Sequence, residues 1–96
     1  MALFHILAHD REGALQTRLD NRAAHLDWAK SQGERVKLAG PIFAPDGETF
    51  IGSVFIVEAG NIEEVKAWQS HDPYVKASLF DRVEITPFKW VIGAPD

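Results

Sequence analysis

Apolar and polar positions alternate in blocks of changing period, and each block predicts an element. Leu3 to His9 reads as a strand; about Gly13 to Gln32 reads as a helix, because Leu15, Leu19, Ala23, Leu26 and Ala29 recur every three or four positions. Gly33 falls where a helix end favours glycine. A short strand "RVKLAG" follows, then a loop with Pro41, Pro45 and the pair Asp46-Gly47, then a β-branched and aromatic strand "IGSVFIVEA". A second helix is predicted over about Ile62 to Ser70, with Asn61 as N-cap and Glu63 and Glu64 in the first turn, where the helix dipole favours negative charge. Asp72-Pro73 interrupts it. A short helical piece, about Pro73 to Phe80, leads into a strand around "RVEITPF" and a tail, "KWVIGAPD", that lies along the sheet or reaches a neighbouring subunit.

The order β-α-β-β-α-β is that of an α+β domain: a four-stranded antiparallel sheet with two helices on one face. Two helices cover only one face, yet the third strand is apolar on both. Val54 and Ile56 point one way, Phe55 and Val57 the other. A second subunit over the open face is the economical cover, so a homodimer is expected.

Composition narrows the picture. The 96 residues suffice for one domain, 1–96, and 46% hydrophobic with 25% charged residues is a globular balance. With no cysteine there is no disulfide framework and no thiolate metal site, which fits a reducing compartment, and the cytoplasm is the expected location. The apolar start "MALFHILAHD" holds His5, lacks a basic leader and reads as a strand rather than a signal peptide. No stretch approaches the roughly 18 to 20 apolar residues of a membrane span. A net charge of -4 with dispersed Lys and Arg leaves no basic stripe for nucleic acid.

The candidate chemistry lies on the first helix and at Asp72. On a helical wheel Leu15, Leu19, Leu26 and Ala29 form the expected buried stripe, with His25 at its border, about 90° from the centre. Arg18 and Arg22 share the flank of His25, because residues three, four and seven apart lie on one helix face. This cationic edge suits an anionic or polar ligand; the same spacing also describes a solvated helix flank. Asp72 before Pro73 is a helix N-cap pattern. Capping uses only part of a carboxylate's acceptor capacity, so Asp72 can also receive a histidine N–H. His5 and His9 share a strand face with Leu3 and Leu7, and their roles, like that of His71, stay open. A metal site is not expected, since Asp72, the carboxylate beside His71, already serves as a helix cap. Ser53, inside "FIGSVFI", lacks the strained elbow of a hydrolase nucleophile.

The segments "RAAHLDW", "LAGPI", "GSVFIVEA", "DPYVKASLF" and "VEITPF", in that order, resemble the YciI-like (YCII-related) domain family over nearly the whole chain. The resemblance implies a ferredoxin-like fold assembled as a dimeric α/β barrel. It implies His25 and Asp72 as an active-site pair, with Arg22, Gly52 and Ser53 as weaker substrate-side positions. One family activity is dehydrochlorination of a chlorinated hydroxyhydroquinone without metal or organic cofactor. The expected function is therefore a cofactor-independent lyase or isomerase, like a dehydrochlorinase or muconolactone isomerase, for a small hydroxylated cyclic or aromatic substrate. His25 would move the proton, Asp72 would fix its tautomer, and Arg22 and Ser53 would hold an oxyanion. Tyr74 and Trp28 are candidate walls. The alternative is a small-molecule-binding or assembly module that does no chemistry.

Overall fold

A computed structural model describes residues 2–95. Its elements are β1 (Ala2–Asp10), α1 (Leu15–Ser31), a 3-10 turn (Gly33–Arg35), β2 (Val36–Phe43), β3 (Phe50–Ala59), α2 (Ile62–Gln69), α3 (Pro73–Lys76) and β4 (Phe80–Phe88). The strands form one antiparallel sheet in the order β2-β3-β1-β4, the ferredoxin-like arrangement. Asp96, last in the predicted tail, lies outside the described residues.

Alternation along the two central strands builds the core. Phe4, Ile6 and Ala8 of β1 pair beside Phe55, Val57 and Ala59 of β3, and all six are buried. Val65 of α2 joins this cluster, with Trp68 and Val36 packed against it. α1 covers the same face, since His25 meets the Phe55 ring edge-on at 5.9 Å. On the opposite face Leu3, Leu7 and Val54 remain half-buried and Leu38 is exposed.

Both edge strands contain proline, Pro41 in β2 and Pro87 in β4. Proline lacks a ladder donor, which an edge strand tolerates on its free side. The second strand therefore continues through Pro41 to Phe43, beyond the predicted "RVKLAG". The β2–β3 connection is closed by Asp46, whose carboxylate accepts from the backbone N–H groups of Glu48 and Thr49 and from the Thr49 hydroxyl. These bonds hold the Asp46 carboxyl at a pKa of about 2, below its usual 3.8; the Thr49 hydroxyl is the largest cause.

The helix caps follow from the sequence. Asn61 accepts from Glu64 N–H at the start of α2, and Asp72 accepts from Tyr74 N–H at the start of α3. Gly33, with φ +63°, follows the end of α1 in the left-handed conformation glycine adopts without strain. Gly52 is required for space, because a Cβ there would lie 2.2 Å from the Ala8 carbonyl oxygen.

The orientation of α1 departs from the wheel. Leu15, Leu19 and Leu26 are 53%, 46% and 39% exposed, whereas Arg18 and His25 are 3% and 7% exposed. Polar partners from other elements lie beneath the helix, Asp10 for Arg18 and Asp72 for His25. Two charge-assisted contacts supply what these side chains would lose on leaving water, so the polar flank turns inward.

Candidate active site

The site is built at the seam between α1, the middle of β3 and the start of α3. His25 projects from the second half of α1 and its Nδ1 lies 2.8 Å from Asp72 Oδ1. An ionised carboxylate only accepts, so Nδ1 carries the proton and donates. Asp72 Oδ1 also accepts from Tyr74 N–H at 2.9 Å. One oxygen therefore caps α3 and orients the imidazole. Proline at the first position of α3 fixes the entry of the chain into this turn.

The imidazole is held on several sides. It stacks on Tyr74 with centroids 3.9 Å apart and planes 11° apart, and Phe55 and Trp28 flank it at 5.9 and 6.4 Å. With Nδ1 committed, Nε2 is the ring nitrogen left for a ligand. His25 lines a cleft with Arg18, Arg22, Ser53 and Tyr74, whose apolar rim is formed by Leu26 and Ala29 of α1 and Ala39 to Pro41 of β2.

Two turns back along α1, Arg18 makes a second polar unit. Its Nε and Nη2 donate to the Asp10 carboxylate at 2.7 and 2.8 Å, and Nη2 also donates to Ser53 Oγ at 2.9 Å. Ser53 is itself buried, and because its oxygen accepts from Arg18 its own proton is free to be donated. The guanidinium carbon sits 4.8 Å from the Tyr74 ring centroid. Tyr74 thus contacts both units. Burial raises the Tyr74 phenol above its ordinary 10.0; Arg18 and Arg22 oppose that shift, and Asp72 adds to it.

The structure brings His25, Arg22, Ser53 and Tyr74 to line one cleft, with Asp72 fully buried behind His25 and bonded to it. Arg22 stands exposed at the mouth, and Tyr74 is 1% exposed, so it lines the floor rather than an open wall. Trp28 packs at a 31° tilt against Trp68, whose indole donates to Gln32, and does not line the cleft. The sequence places Arg18 on the cationic flank of His25 but gives no sign of Asp10 as its buried partner. The signal for Arg18 is its seven-residue spacing to His25, which places them on one face two turns apart. His5, His9 and His71 lie outside this cleft; His9 instead contacts Glu84 on the open sheet face. Among the described residues no group of three or more His, Cys, Asp or Glu is disposed to hold a metal, and no helix is long and apolar enough to cross a membrane.

Fold and site together define a small α+β domain with a buried His–Asp pair in a cleft lined by arginine and serine. The YCII-related domain family matches residues 2–89, and the chain belongs to that family. Protein YciI of Escherichia coli is 36% identical, covering 93% of this chain and 98% of its own length. A Haemophilus influenzae relative is 39% identical over 90% of this chain and 95% of its own. Among solved structures, 5-chloro-2-hydroxyhydroquinone dehydrochlorinase (TftG) of Burkholderia phenoliruptrix, in complex with 2,5-dihydroxybenzoquinone, superposes with a TM-score of 0.81 at 35% identity. That match covers 91% of this chain and 93% of the dehydrochlorinase. A NIPSNAP domain protein of Burkholderia xenovorans, 15% identical with a TM-score of 0.57, shares the fold.

Proposed function

We propose that this protein is a cofactor-independent lyase or isomerase acting on a small, planar, hydroxylated cyclic substrate. The observation that carries the reading is the His25–Asp72 bond, which occupies Nδ1 and leaves Nε2 for the cleft. The substrate ring lies between the α1 rim and β2. His25 Nε2 takes a proton from the substrate, and Asp72 stabilises the imidazolium that forms. Negative charge developing on a ring oxygen meets the Ser53 hydroxyl and the part of the Arg18 guanidinium not used by Asp10, with Arg22 at the mouth. In an isomerisation the imidazolium returns the proton to a different carbon. In an elimination chloride leaves with the bonding electrons as the proton is taken, and the products are the unsaturated ring and HCl. The bound quinone of the related dehydrochlorinase supports a ligand of this shape and chemistry.

The test is incubation with 5-chloro-2-hydroxyhydroquinone and a panel of hydroxylated cyclic lactones and quinones. Turnover by the wild type that falls by roughly 10² to 10⁴ in His25→Ala supports the reading. Unchanged turnover in His25→Ala overturns it. Ligands that bind and are recovered intact, equally well by both proteins, mark a binding module instead.

We also propose that a second copy covers the open sheet face. Leu3, Leu7 and Val54, half-buried, and the exposed Leu38 supply an apolar centre there, and the charged pair Arg82 and Glu84 of β4 stands at its margin. A cysteine-free homodimer of this kind suits the reducing cytoplasm. Light scattering checks this: the wild type should have dimer mass, and Leu7→Glu should shift it to monomer. A monomeric wild type contradicts it.

A further inference from the structure

The two oxygens of Asp72 are used unequally. Oδ1 accepts twice, from His25 and from the Tyr74 backbone, whereas Oδ2 is buried with no hydrogen-bond partner among the described residues. Gln69 Nε2 is in the same position. One orphan atom is an acceptor and the other a donor, and buried polar groups are seldom left unpaired.

The two residues are neighbours by construction. Gln69 ends α2 and Asp72 caps α3, and the turn between them is closed by Asp72 N–H donating to the Gln69 carbonyl at 2.9 Å. Both side chains face inward, Gln69 5% and Asp72 0% exposed. A contact between the Gln69 amide and Asp72 Oδ2, direct or through one buried water, would satisfy both atoms at once.

We propose that Gln69 is a positioning residue for the His25–Asp72 pair, its side-chain amide donating to Asp72 Oδ2 directly or across one water. A carboxylate held only through Oδ1 can swing about its last torsion. Held at both oxygens, it keeps Oδ1 aimed at both His25 and the cap. The catalytic consequence rests on the function proposed above, while the hydrogen bond itself does not.

The experiment reads NMR signals of the intact protein. In wild type against Asp72→Asn, the Gln69 side-chain amide resonances should move, and in Gln69→Met the exchange protection of the His25 Nδ1 proton should fall about ten-fold. Gln69→Met should also melt below the wild type, since it strands Oδ2. Identical Gln69 resonances in Asp72→Asn, or a Gln69→Met protein that melts at or above the wild-type temperature, overturn the inference. The first readout keeps Gln69 intact, so it stands even if Gln69→Met does not fold. If His25→Ala keeps full turnover while the Gln69 coupling is present, the proposed function fails and the pairing survives. If His25→Ala is inactive and the coupling is absent, the reverse holds.

Discussion

Arg18 and Asp10 meet through two hydrogen bonds of 2.7 and 2.8 Å with only 3% and 8% of their side chains exposed. Removing one member leaves the other charge buried without its partner. Arg18→Met should therefore destabilise the protein by about 3–5 kcal/mol, and the double variant Arg18→Met/Asp10→Asn should lose less. Urea unfolding midpoints check this; a double variant less stable than Arg18→Met would contradict the pairing.

Asp72 has two jobs that substitution can separate. Asparagine caps helices about as well as aspartate, so Asp72→Asn keeps the bond to Tyr74 N–H, while Asp72→Ala should cost about 1 kcal/mol more through the lost cap. Both should impair proton transfer. Thermal unfolding and turnover measured on the same pair of variants distinguish the roles.

Tyr74 is the only tyrosine in the chain, so tyrosinate absorbance reports it alone. Its folded-state pKa is raised, burial being the main cause, so the folded protein holds the phenolic proton more tightly than the unfolded chain. The associated stability is complete below the ordinary value of 10.0 and is lost as pH rises from there through the folded value. Absorbance should therefore lag behind that of free tyrosine. Tyr74→Phe should show a shallower alkaline loss of stability.

Asp46 shows the opposite sign. Its pKa is depressed to about 2, so its contribution is present above the usual 3.8 and disappears as pH falls toward 2. Thr49→Val removes the largest cause, and the Asp46 carboxyl should then titrate closer to 3.8. Carbon NMR of Asp46 reads this directly; an unchanged titration would remove Thr49 as the cause.

The element order is readable because strand alternation and the caps at Asn61 and Asp72 are local signals. The inward face of α1 is not. Periodicity assumes an apolar interior, and by that rule the leucines of α1 face in. Asp72 lies 47 residues from His25, and Asp10, although only 8 residues from Arg18, belongs to a different element, so the periodicity of α1 registers neither. The His25–Asp72 pairing is legible through family resemblance and not through spacing. Arg18 is visible only as a flank neighbour of His25, because its partner Asp10 reads locally as the polar end of a strand. Pro41 reads as loop because nothing nearby in the chain shows that β2 is an edge strand.

The functional reading depends above all on Asp72 holding His25 with the proton on Nδ1 and Nε2 open to the cleft. Long-range proton–nitrogen NMR of the neutral imidazole tests this most directly. The Nδ1–H tautomer is expected in the wild type, with a loss of that preference in Asp72→Asn. A wild-type His25 carrying its proton on Nε2, or a tautomer unmoved by Asp72→Asn, would contradict it.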